Sequence, residues 1–246
     1  MTVLNELIEY WLSAYWLWAL CMSIIVNIVI FVVTAFILDK FIQKLVDKFK
    51  LGYYIDNREL KIHQKKIELR NGIVACIVFA FGSLLVRVLF TGIWPTSVYD
   101  FLIQIVVFTA FYESYSYFIH RLLHTKYLIR FHAVHHKSIR VTPWSAYNVH
   151  PIEAMFIGLS VPLFMLLFPL NLGIALIFHV FGMMFTIFLH SNFNFNGDNM
   201  VTKIINKYSY FHSQHHMIGK INFGFINQFW DRLLKTKNNR NGYKFK

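Results

Sequence analysis

The sequence predicts an all-α, integral-membrane helical bundle of three spans plus a helical hairpin, with a cytosolic helical cap carrying clustered histidines. Three observations predict it. Apolar residues fall in long blocks, cations fall in the segments between alternate blocks, and histidines recur at helical spacing beside those cations. Of 246 residues, 57% are hydrophobic and 15% charged. Soluble domains run at about half apolar and roughly a quarter charged, so the excess here marks bilayer spans rather than one large core.

Residues 15–38 carry no charge, and at a rise of ~1.5 Å per residue they exceed the ~30 Å of hydrocarbon in a bilayer. The block is too long for a signal-peptide core and no Lys or Arg precedes it, so it is expected to be a retained span. The 39–72 segment (KFIQKLVDKF) is expected to form an amphipathic helix along the interface. Residues 73–94 form a second span, interrupted by Arg87, which is expected to snorkel or to pair with Glu113. Residues 98–119 form a third, whose second half turns polar and aromatic (FYESYSYF). Residues 152–190 are apolar throughout but are broken by Pro169, Leu170 and Asn171, so two shorter helices in a hairpin are predicted. The end (NNRNGYKFK) reads as a mobile basic tail over 238–246.

The formal charge is +12, and 23 of the 24 Lys and Arg residues lie in 39–72, 119–150 and 190–246. The N-terminal stretch, the 94–100 turn and the 169–172 tip hold none. Under the positive-inside rule the three basic segments face the cytoplasm and the N-terminus lies outside. Trp11, Trp16, Trp18 and Trp94 then fall toward the outer interface as an aromatic belt. Position accounts for the cations, which orient the chain and touch anionic headgroups, so no nucleic-acid partner is expected. Cys21 and Cys76 both sit in apolar runs and read as small hydrophobes, with no disulfide framework and no CxxC site.

Eleven of the twelve histidines lie between 120 and 216. Three clusters stand out: His120 and His124 in HRLLH, His132, His135 and His136 in HAVHH, and His212, His215 and His216 in HSQHH. His190 (LHSN) and His150 (NVHPIE) lie between them. At 3.6 residues per turn, positions i, i+3 and i+4 share a helix face, so each cluster is expected to present two or three imidazoles toward one point. With His190 this gives eight or nine nitrogen donors. A closed zinc site needs four and a catalytic zinc three, so the number points to two metal ions side by side. The hairpin enters and leaves on one side, which brings all three clusters to a single membrane face.

Imidazole suits iron, zinc and copper alike, so the residues leave the metal open. Each ring must also be oriented through its second nitrogen. The candidates are Glu113, Asn148, Glu153 and Asp231. Glu113, seven residues before His120, is either a functional carboxylate within a span or a hydrogen-bonded structural one. Tyr112, Tyr115, Tyr117, Trp144, Tyr147, Phe193 and Phe195 are candidates to line a lipid channel or simply to pack. His179 lies ~16 Å deeper than His190 along a helix, too far to share its metal. It reads as a buried polar contact or a partner for a substrate polar group. His63 reads as an ordinary surface histidine.

HRLLH, HAVHH and HSQHH, in that order relative to the spans, together with NVHPIE, LHSN and the closing NFGFINQFWDRLLKT, resemble the fatty acid hydroxylase/sterol desaturase superfamily of membrane di-iron enzymes. The resemblance covers about residues 100–237. It divides the chain into a membrane anchor (1–100), a catalytic domain (101–237) and the tail. It implies two non-haem iron ions ligated by His120, His124, His132, His135, His136, His212, His215 and His216, with His190 as a further ligand. His150 sits in a family motif, as a ligand or behind the ligands. The resemblance also implies O2 as co-substrate, a membrane lipid as substrate, and hydroxylation or desaturation as the outcome. Electrons are expected from a separate cytochrome b5-like or ferredoxin-like protein, since no fused cytochrome b5 domain is visible. Fatty acid 2-hydroxylases of the family often carry a histidine four residues before the position of His190. Thr186 stands there, which favours the sterol-desaturase-like branch.

Two rivals remain on residues alone. A zinc-dependent membrane hydrolase normally shows three ligands and a positioned carboxylate, as in HExxH, which is absent. A haem carrier or metal transporter needs axial histidines within helices or polar groups aligned through the bilayer, whereas these donors gather at one face.

Overall fold

The computed structural model describes residues 3–238, so residues 239–246 of the expected mobile tail lie outside the described residues. The elements run α1 (Val3–Ser13), α2 (Trp16–Gln43), β1 (Gly52–Tyr54), α3 (Gln64–Leu89), α4 (Val98–Leu123), α5 (Ile129–His136), α6 (Pro151–Gly158), α7 (Ser160–Leu167), α8 (Leu172–Leu189), β2 (Phe193–Phe195), α9 (Met200–Ile218) and α10 (Phe229–Leu233). Among the described residues, four helical stretches are long and apolar enough to cross a membrane: Trp16–Lys48, Gln64–Leu89, Val98–Leu123 and Leu172–Leu189. The chain is an integral membrane helical bundle.

Small residues bring α2 and α3 together. Ala19, Ser23, Asn27, Phe31 and Ala35 recur every fourth residue on the buried face of α2. They meet Gly72, Ala75, Cys76 and Phe79 of α3. A Cβ on Gly72 would lie 2.3 Å from the Phe31 ring, so only glycine lets the helices approach this closely. The opposite face of α2 (Ile25, Val29, Val33, Phe36, Ile37) is exposed, as a lipid-facing surface must be.

The cation-free segments gather at one end. Leu172 N donates to Gly92 O (2.8 Å), and Gly173 N to Ile93 O (2.8 Å). The Trp94 indole donates to Asn5. Arg87 does not reach Glu113. Its guanidinium donates to the Leu12 and Ala14 carbonyls, closing the C-terminus of α1, and lies over the Trp11 ring. The basic segments gather at the other end, where Lys61 Nζ donates to Lys137 O and Gln64 Nε2 to Arg140 O.

Three local expectations change. KFIQKLVDKF is no separate interfacial helix: α2 continues through it and ends in a wider π-helical turn, Lys44–Lys48. The chain then pairs β1 antiparallel with β2, Gly52 opposite Phe195 and Tyr54 opposite Phe193, a small ribbon within an otherwise helical protein. The first leg of the hairpin also breaks into α6 and α7. Pro162 has no N–H to offer the Gly158 carbonyl, and the ladder resumes with Leu163 N donating to Leu159 O.

Candidate metal centre

The histidines sit where α4, α5, α8 and α9 end, all at the basic end of the bundle. Each end has a local cause. Gly219, at φ +74°, stops α9 in a left-handed conformation and turns the chain back, so that the Ile221 carbonyl meets His215 Nδ1 at 2.6 Å. His190 is the C-cap of α8, and its Nδ1 lies 2.7 Å from the Thr186 carbonyl.

Nine rings form two groups. His120, His124, His132, His136 and His215 make one, and His135, His190, His212 and His216 the other, with donor atoms in each group within 4.8 Å of one another. Helix geometry explains the partition. Positions i and i+4 stand ~40° apart around a helix, whereas i+3 and i+4 stand ~100° apart. The i, i+4 pairs (His120 with His124, His132 with His136, His212 with His216) therefore each serve one group, and the i+3 residues His135 and His215 cross to the other. The expectation that each cluster points to one place is corrected accordingly.

The rings suit cations. Four donate through Nδ1 to oxygen: His120 to Phe223 O (3.0 Å), His132 to Glu153 Oε1 (2.8 Å), His190 to Thr186 O and His215 to Ile221 O. A neutral imidazole with hydrogen on Nδ1 has a bare lone pair on Nε2. Yet these Nε2 atoms face other histidine nitrogens at close range: His132 to His136 at 3.0 Å, His215 to His136 at 3.1 Å and His190 to His212 at 2.9 Å. His216 is buried with neither ring nitrogen hydrogen-bonded. Converging lone pairs at this spacing fit a bound metal in each group.

Burial keeps the rings neutral and ready to ligate. Desolvation lowers His124 to about 3 and His136 and His190 to about 4. It lowers His135, His212, His215 and His216 well below the ordinary range, with the neighbouring rings adding to the shift. Unfolded histidine takes a proton near pH ~6.5. The stability tied to these depressed values is therefore present above that pH and falls as acid approaches the folded values.

Supporting groups surround the rings. Glu113 does not face them: its two oxygens accept from Ile226 N (2.7 Å) and Asn227 N (3.0 Å), docking the segment after α9. Asp231 accepts from Phe223 N and Gly224 N, so the Phe223 carbonyl is held toward His120. A Cβ on Gly224 would lie 2.3 Å from Asn227 O, which leaves room only for glycine there. Asn148 donates to Val134 O and Ser138 Oγ and accepts from Asn71, bracing the end of α5. His150 stands outside both groups. Its Nδ1 accepts from Ile152 N at the start of α6, and its ring lies against Phe131.

Sequence reasoning missed Glu68, whose carboxylate binds Gln64, Ser138 and Thr142 and ties α3 to the loop after α5. It missed the carbonyls of Thr186, Ile221 and Phe223 as well, because a backbone acceptor leaves no mark on residue identity.

A cavity of about 650 Å³ touches His120, His132, His135, His190 and His212 and extends through the bundle to Leu7 and Trp11 of α1. That volume suits a small lipid. Tyr112, Tyr115 and Tyr147 line it. Tyr117 instead packs on Trp230, Trp144 bonds Asp39, and Phe193 and Phe195 lie in the strand pair.

The fatty acid hydroxylase family model matches residues 105–236, more than half of the chain. The chain belongs to the fatty acid hydroxylase family. Among the relatives of this family member, a Delta(7)-sterol 5(6)-desaturase of Leptosphaeria maculans is 33% identical over 153 residues, 62% of this chain and 41% of that protein. Delta(7)-sterol 5(6)-desaturase ERG3 of Candida albicans is 32% identical over 131 residues, 53% of this chain and 33% of that protein. Human lathosterol oxidase is 28% identical over 159 residues, 63% of this chain and 52% of that protein. The chain thus spans about half or less of the relatives it matches. No solved structure matches it.

Proposed function

We propose that the chain is an O2-dependent lipid oxidase with two iron ions at its histidine groups, hydroxylating or desaturating a sterol-like or fatty acyl lipid. The observation that carries this reading is the convergence of nine imidazoles in two groups at the floor of an apolar cavity. The family and the oxidase relatives support it. Bound iron would supply reductive activation of O2 and attack on an unactivated C–H bond.

His120, His124, His132, His136 and His215 would hold one ion, and His135, His190, His212 and His216 the other. Glu153 fixes His132 through its Nδ1 hydrogen and keeps that ring's Nε2 aimed inward. The cavity walls exclude water and carry the lipid to the rings. O2 accepts four electrons in all. The substrate supplies two, a separate donor protein supplies two, and water takes up the oxygen not kept by the product.

Lipid profiling by mass spectrometry in cells expressing the chain tests this reading. A lipid that gains a hydroxyl or loses two hydrogens only when O2 is present is the expected result. The same product formed without O2 overturns it, because the oxidant is then not O2.

The basic end, with the histidines, faces the cytoplasm in this proposal, following the distribution of cations. A reporter fused after residue 246 is then expected to read as cytoplasmic, and an external reading overturns the orientation.

A further inference from the structure

The cavity holds one imidazole far from the two groups. His179 stands on α8 eleven residues before His190, ~16 Å along the helix axis. Its neighbours fix which nitrogen carries hydrogen. The Cys76 carbonyl only accepts, so Asn27 Nδ2, at 3.2 Å, donates to it. That turns Asn27 Oδ1 toward His179 Nε2 at 2.8 Å. An amide oxygen also only accepts, so Nε2 bears the hydrogen and Nδ1 a bare lone pair.

His179 Nδ1 makes no hydrogen bond among the described residues, and both His179 and Asn27 line the cavity. Four serine and threonine hydroxyls that line the same cavity donate to backbone carbonyls instead: Ser83 to Phe79 O, Ser116 to Tyr112 O, Ser160 to Ile157 O and Thr186 to Gly182 O. An acceptor in an apolar chamber is costly to leave unmatched, and it is matched by a hydrogen donor such as the O–H of a lipid alcohol.

We infer that Asn27 and His179 form a subsite for the hydroxyl of a lipid alcohol, and that it sets the distance from that hydroxyl to the carbon oxidised at the histidines. This rests on the oxidase reading of the cavity. An extended hydrocarbon advances ~1.2 Å per bond, so ~16 Å corresponds to roughly a dozen bonds. Ethers and ketones offer no hydrogen and set acceptor against acceptor. The subsite therefore selects an alcohol over its methyl ether by about tenfold, the worth of one hydrogen bond.

The test is photolabelling of the full metal-loaded chain in lipid nanodiscs. The probe is a long-chain primary alcohol with a diazirine roughly a dozen carbons from its hydroxyl, compared with its methyl ether. The alcohol is expected to label the cavity wall at 119–123 and 223–226 about tenfold more than the ether. His179→Leu should erase that preference. His179→Gln should restore it, since its amide can donate to Asn27 while its oxygen faces the chamber.

Equal labelling by alcohol and ether in the unaltered chain overturns the subsite, as does a preference that survives His179→Leu. Selective labelling elsewhere overturns the length. Should His179→Leu fail to fold, the alcohol–ether comparison in the unaltered chain decides alone. Labelling needs no turnover, so the two readings fail separately. A chain that prefers the alcohol but binds no iron sinks only the oxidase, and an iron-loaded chain without the preference sinks only the subsite.

Discussion

Alanine at His215 is expected to strip metal from the chain and to lower turnover by more than a hundredfold, beyond the ~10- to 100-fold that follows loss of a mere supporting partner. His215 brings α9 to the rings that α4 and α5 already place together. Its Nε2 lies 3.2 Å from His124 Nε2 at the end of α4 and 3.1 Å from His136 Nε2 on α5, while Ile221 O holds its other nitrogen. Alanine therefore removes the one donor that α9 gives to that group. His135→Ala does the same to the other group, where α5 contributes a single ring. Elemental analysis of each purified variant checks this, with helical content and membrane insertion unchanged. Full metal retention with normal turnover in either variant contradicts it.

Asp231→Ala is the second large effect, although Asp231 touches no histidine. The residue is fully buried and accepts from Phe223 N at 2.9 Å, Gly224 N at 2.7 Å and Thr236 Oγ1 at 2.7 Å. Its loss leaves two backbone N–H groups without a partner, each costing about 1–3 kcal/mol where water cannot enter. The same loop carries the Phe223 carbonyl that orients His120. Metal affinity is expected to fall about 10- to 100-fold, together with a lower melting temperature. Asp231→Asn keeps one acceptor oxygen and should lose less. Chelator competition reads the affinity, and wild-type retention by Asp231→Ala contradicts the role given to the loop.

The spans were legible because hydropathy follows from residue identity alone. The 15–38 block became α2, and the break at Pro169 to Asn171 became the tip between α7 and α8. The charge pattern foresaw which segments share an end, since cations cannot lie in hydrocarbon. The histidine spacing foresaw that the rings would gather but not their division. The same 100° per residue that groups i with i+4 also sends i+3 elsewhere, so the split was in the sequence yet needed the helix ends placed before it could be seen.

Other features depend on tertiary partners and had no local signal. The strand pair exists because Gly52 lets the backbone approach Phe193, where a Cβ would lie 2.2 Å from the ring. Glu113 read equally well as a functional or a structural carboxylate. It is a clamp because the 223–229 segment folds back more than a hundred residues later. Arg87 found two helix-terminal carbonyls instead of an acid, as the end of α1 leaves such groups open.

Under the proposed function, each histidine group would hold one iron. Counting metal in the purified, unaltered chain tests it most directly. Two irons per chain, with no Soret band and little zinc, is the result expected from nine converging imidazoles. A single zinc per chain, or iron held only in haem, would contradict it.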